Sequence, residues 1–208
     1  MEMKLMQQSE WMRVYSTGPN ELRYESKFLR NEVQISAEEI KQRWTGFSSD
    51  EQLEFAVAFS ANPNWSEEDA KILDFLMAVS NDYVAQTLAD LVARRCEKKR
   101  AREFLLRRIQ GIGSFPRSNF YRVLGTVGDS DCLPQLRQLY DGYSEELKGS
   151  KNNGLLADFS GYIDYLYLCA TLRQLDGSAE FERAICAMLD HSDERVRTCA
   201  QRLRAGPA

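Results

Sequence analysis

The chain has 208 residues, 43% apolar and 28% charged, and its 27 Lys/Arg against 31 Asp/Glu leave a net charge of −4. That is enough chain for one ordinary domain or two small ones with a sizeable core, and it is too apolar for wholesale disorder. Apolar runs are only a few residues long, and the opening stretch with Glu2, Lys4 and Glu10 lacks an apolar core, so neither a membrane-spanning helix nor a secretory signal is expected.

Residues 1–35 carry no helical signature and are expected to be an irregular or capping segment, leaving 36–208 as one helical domain. From there helix starts recur, and the fold class expected is all-α. Ser36-Ala37-Glu38-Glu39 reads as a capping box, in which serine and glutamate side chains satisfy each other's orphan backbone donors. Ser66-Glu67-Glu68-Asp69 reads as another start with a shorter acid, and further caps fall at Asn81 or Ser80, Ser178, and Ser192 or Asp193. Together these predict five helical pairs over about 37–60, 67–94, 97–127, 131–175 and 178–204. Each helix offers one apolar stripe, such as Ile72, Phe75, Leu76 and Val79, so neighbours must stack to close the core.

In the first pair Trp44 shares a face with Ile40 and reads as core. Trp65 follows an Asn62-Pro63-Asn64 turn and is a candidate interface residue, as partly exposed tryptophans often anchor contacts. Trp11, Tyr15 and Tyr24 add further aromatics to the acidic first third. Charge is segregated along the chain. Residues 1–93 hold 8 basic and 16 acidic side chains, 94–137 hold 11 and 4, and 138–208 hold 8 and 11. The sharpest surface feature is the run Arg94, Arg95, Lys98, Lys99, Arg100, Arg102, Arg107 and Arg108. It has two readings, a docking surface for an acidic protein or phosphates, and an ordinary solvated helix face. Spacings of four and three set Arg95, Lys99 and Arg102 along one side of a helix, provided no break at Cys96 interrupts it. The overall acidity and the scarcity of interleaved aromatics weigh against nucleic acid.

Gln110-Gly111-Ile112-Gly113-Ser114 holds a GxG, but a helix precedes it where a phosphate-cradling loop needs a strand, so it reads as a helix end and turn. Asp129 with Asp131, and Glu67, Glu68 and Asp69, sit at helix starts, where capping explains them better than acid–base chemistry. The loop 148–154 is polar and glycine-rich and is expected to be mobile. The helix after it is apolar around most of its girth, and only the line Ser160, Asp164, Tyr167, Thr171, Gln174 stays mostly polar, which makes Tyr167 a second aromatic interface candidate. His191 is the one histidine, with no nucleophile and supporting acid evident beside it, and reads as structural. The five cysteines show no CxxC or metal spacing and read as reduced thiols of a cytoplasmic protein. No catalytic residue, cofactor or metal site is expected.

Two stretches carry a family resemblance. Val123-Leu124-Gly125-Thr126-Val127-Gly128-Asp129, followed by Leu133-Pro134-Gln135-Leu136, resembles the helix end, Gly-Asp turn and Leu-Pro-x-Leu opening of HEAT repeats, especially the short lyase-like kind. There Gly128 is expected to take a left-handed turn conformation. Met188-Leu189-Asp190-His191-Ser192-Asp193-Glu194-Arg195-Val196-Arg197 is similar to a second such junction, with its Ser-Asp turn and Val-Arg opening. The resemblance implies an α-solenoid of about five stacked antiparallel pairs with an extended binding surface. The lack of a catalytic constellation, the repeat surface and the segregated charge point to a non-enzymatic cytosolic protein-binding molecule, and the resemblance adds the expectation of a bacterial immunity protein or adaptor. The alternative it leaves open is a phosphate- or nucleic-acid-binding protein, resembling HEAT-like DNA glycosylases, that uses the basic stretch 94–108. Under the first reading the partner-binding residues are Arg94, Arg95, Lys98, Lys99, Arg102, Arg107, Arg108, Trp65 and Tyr167.

Overall fold

The computed structural model describes residues 4–8, 12–18, 21–26, 36–62, 65–110, 116–149 and 154–206, with side chains described from residue 36 onward. The chain divides into two compact units, Met1–Val92 and Ala93–Ala208. Trp11, the GxG turn at 111–114 and the centre of the 148–154 loop lie outside the described residues.

The first unit opens with three strands, β1 (Lys4–Gln8), β2 (Met12–Gly18) and β3 (Glu21–Ser26), paired antiparallel in the order β1-β2-β3. Val14 lies opposite Tyr24 and Leu5 opposite Tyr15, with register shifts between Leu5 and Gln7 and between Ser16 and Gly18. This corrects the expectation of an irregular segment. Glu21-Leu22-Arg23-Tyr24-Glu25 alternates polar and apolar residues, and Gly18-Pro19-Asn20 is turn composition, together a short hairpin pattern with no helical period.

From residue 36 the described regular structure is helical. The first unit continues with α1 (Ala37–Arg43), α2 (Ser49–Ala61) and α3 (Glu67–Val79), and α4 (Asp82–Arg95) runs across the division into the second. Ser36 caps α1 by accepting from the Glu39 N–H, but the reciprocal arm of the expected box is not made. The Glu39 carboxylate meets Arg43 at 3.6 Å instead, and the Ala37 N–H donates to Glu68 of α3 at 2.7 Å. Complete boxes form at Ser48 with Glu51 and at Ser66 with Asp69, so the shorter acid serves. The core centres on buried Trp44, whose ring lies 6.0 to 6.3 Å from Phe47, Phe55 and Phe75, within range of favourable aromatic pairing.

The second unit holds α5 (Lys98–Gln110), α6 (Ser118–Val127), α7 (Leu133–Leu147), α8 (Phe159–Asp176), α9 (Ala179–Ala187) and α10 (Glu194–Arg204). These elements coincide with the expected pairs. α8 is the hub: α6, α7, α9 and α10 all pack against it, and α5 packs on α6. That placement explains its apolar girth, with Tyr165, Leu166, Leu168, Cys169 and Leu172 buried.

Two members of its polar line, Asp164 and Thr171, are buried too, where α8 grips α6. Asp164, 5% exposed, accepts the Arg117 N–H on both carboxylate oxygens at 2.8 and 2.9 Å, and so caps the start of α6 from another helix. Two turns on, the hydroxyl of Thr171, 2% exposed, donates to the Tyr121 carbonyl at 2.7 Å. Gly128 does not adopt the expected left-handed conformation, its φ and ψ being −72° and 167°. It is needed for closeness: a Cβ there would come within 2.6 Å of the Leu124 carbonyl oxygen and 3.1 Å of Leu175 Cδ1.

Candidate interaction surface

The basic run begins in the last turn of α4 and continues on α5, and the chain breaks between them at Cys96 and Glu97. Arg95 therefore stands on a different helix from Lys99 and Arg102, and the three do not form one continuous helical line. Within α5, Ala101, Phe104, Leu105 and Ile109 are buried, a 3-4 spaced stripe facing the unit's core. Lysines and arginines, with Glu103, Leu106 and Gln110 among them, fill the rest of the helix circumference.

The run sorts into two groups. Arg94, Arg95, Lys98, Lys99, Arg100 and Arg107 are exposed. Arg102 and Arg108 flank the buried stripe. Arg102, its side chain 18% exposed, forms an ion pair with Asp129 in the turn after α6, and Arg108 lies over the Phe104 ring at 5.5 Å. Asp129 also accepts the Asp131 N–H at 3.1 Å, as the capping expectation for that turn required. Arg102 thus ties α5 to the turn after α6 rather than presenting its charge outward. The exposed group lies over a short length: α5 from Lys98 to Arg107 spans about 14 Å at 1.5 Å per residue.

The two aromatic candidates are placed elsewhere in the chain. Trp65 belongs to the first unit, half-buried, with its ring 5.7 Å from that of Phe59. Tyr167 is half-buried on α8, where Arg202 of α10 donates to its hydroxyl at 2.5 Å and stacks 5.8 Å from its ring.

His191 is built into the turn before α10. Its Nδ1 accepts the Asp193 N–H at 3.0 Å, its ring lies 4.4 Å from that of Tyr162, and Arg197 donates to its carbonyl at 2.7 Å. Asp193 caps α10 through the Arg195 N–H, and hydrogen bonds from the Arg195 side chain and backbone hold its carboxyl down at about 2. Arg195 also sits 3.7 Å above the exposed Phe159 ring.

Among the described carboxyl groups, Asp164 is displaced furthest toward neutrality. Burial pushes its carboxyl up to about 6 against the opposing pull of the Arg117 and Ser118 backbone N–H groups. Burial likewise pushes the Cys169 thiol up to about 12, which suits a packed thiol rather than a nucleophile. All five cysteines are free thiols. No described helix is long and apolar enough to cross a membrane, and no three described His, Cys, Asp or Glu side chains are grouped to hold a metal ion.

The sequence reading missed Glu103, the exposed acid in the middle of the outward face of α5. Its four-residue spacing from Lys99 and from Arg107 was the available signal. Comparison with protein-family models, with curated proteins and with solved structures returns no match to this chain.

Proposed function

We propose that this chain is a non-enzymatic, HEAT-like protein-binding molecule whose basic surface, at the end of α4 and along α5, docks an acidic partner protein. The observation that carries the reading is the sorting of the basic run. Six cations are exposed within 94–107, whereas Arg102 and Arg108 are half-buried against Asp129 and Phe104. The like charge so gathered repels itself, a cost that an acidic partner relieves while its approach is steered.

The HEAT-like part of the reading is supported by who packs against whom in the second unit. The second helices of successive pairs, α6, α8 and α10, lie side by side. The first helices α5, α7 and α9 each lie against the second helix of their own pair. Neighbouring pairs of a helical repeat contact one another in this way. An immunity or adaptor role is the form of such binding that the resemblance suggests.

The test is capture of partners from the native host by the wild-type chain and by a Lys98→Glu, Lys99→Glu, Arg107→Glu variant. The reading expects a stoichiometric acidic protein on the wild type, lost from the variant and weakened by high salt. Equal recovery by both, or recovery of nucleic acid in its place, contradicts it.

A further inference from the structure

The outward face of α5 is not uniformly basic. Lys99, Glu103 and Arg107 follow each other at four-residue intervals, so they lie along one line of the helix about 6 Å apart. All three are exposed, opposite the stripe of Ala101, Phe104, Leu105 and Ile109. An acid flanked in this way ordinarily closes an ion pair with a neighbour one turn away. Here it closes none: among the described residues the Glu103 carboxylate forms no hydrogen bond or ion pair, and the same holds for the Lys98 and Lys99 ammonium groups. The face therefore offers a plus, minus, plus pattern over about 12 Å, with its central acid unneutralised.

Polyphosphates and proteins respond to such a pattern differently. Each strand of duplex DNA carries a negative charge about every 3.4 Å along the axis and no positive group between them, so nothing along it pairs with a carboxylate. Any backbone track that satisfies both Lys99 and Arg107 sets phosphate against Glu103. A protein surface can alternate its charges, with carboxylates opposite Lys99 and Arg107 and a Lys or Arg opposite Glu103.

We infer that Glu103 is a specificity-determining residue of this surface, selecting a protein partner whose two carboxylates flank a cation and rejecting evenly charged polyphosphate. The inference rests on the protein-docking reading above and names the charge pattern of the partner. Repulsion from a misplaced like charge is the device by which an interface discriminates against a competitor.

The experiment measures binding of a fluorescent 20-base-pair random-sequence DNA duplex to the full chain by anisotropy, from low to physiological salt. It compares the wild type with Glu103→Gln and with Glu194→Gln. The second variant makes the same change of charge at an exposed position on α10. Glu103→Gln is expected to tighten DNA binding at low salt by on the order of three- to tenfold, and Glu194→Gln by less than about twofold. Equal effects of the two variants, or none from Glu103→Gln, overturn the inference, since net charge and not placement would then govern. Wild-type chain that holds the duplex tightly at physiological salt would overturn the protein-docking reading, while the ratio between Glu103→Gln and wild type still reports separately on Glu103. Matching circular-dichroism melts for the three proteins exclude misfolding as the cause.

Discussion

Replacing Asp164 with Asn tests the buried grip of α8 on α6. Burial raises the Asp164 carboxyl from 3.8 to about 6, even though it accepts the backbone N–H of Arg117. An acid whose folded value lies above its unfolded one keeps its proton in the native state over a window where the unfolded chain has released it. Stability contributed by this group is therefore greatest below about pH 4 and falls as pH rises to about 6, then levels off. A displacement of roughly two units amounts to about 3 kcal/mol at pH 7. Asparagine keeps the size and one acceptor oxygen but cannot ionise. The stability of Asp164→Asn minus that of wild type should rise by about 2.5 kcal/mol between pH 4 and pH 7, part of the titration being already complete at pH 4. The offset at pH 4 reports the exchange of a hydroxyl for an amide, and the change with pH reports the ionisation. Urea denaturation of both proteins at pH 4, 5, 6 and 7 measures this difference, in which the titration of all other groups cancels. A difference that stays constant, or falls with pH, would show that the carboxylate is not desolvated against α6 and would refute the reasoning.

Three further substitutions probe the same architecture. Thr171→Val removes the buried hydrogen bond to the Tyr121 carbonyl and should cost about 1 kcal/mol in urea denaturation. Gly128→Ala should cost about 1 to 3 kcal/mol, because its methyl must displace the Leu124 carbonyl or Leu175. A thermal midpoint equal to wild type would show that this turn is not closely packed. Leu166→Asp places a charge at a fully buried position on the hub helix and should abolish cooperative folding of the second unit, seen as loss of near-ultraviolet dichroism.

Helical segments were legible because stripe and cap agree locally: Ser66, Asn81, Ser178 and Asp193 all cap as their sequence context implies. The strands were not. Their alternation runs for only a few residues, and it was outweighed by helical period elsewhere. The polar line of α8 was visible, but the burial of two of its members was not. Asp164 and Thr171 are spent on backbone groups 47 and 50 residues away, and no local pattern announces such partners. Gly128 illustrates the same limit, since a glycine required for closeness and one required for a left-handed turn read alike in a sequence. For the basic surface, composition showed the charge. Which cations turn inward depended on Asp129 and Phe104, and the isolation of Glu103 depended on pairs that do not form.

Hydrogen–deuterium exchange on the complex with its captured partner bears most directly on the docking surface. Docking on the exposed cations predicts that backbone amides across 94–107 gain protection on binding, with the gain lost in the Lys98→Glu, Lys99→Glu, Arg107→Glu variant. Protection confined to other segments, with 94–107 exchanging as in the free chain, would contradict it.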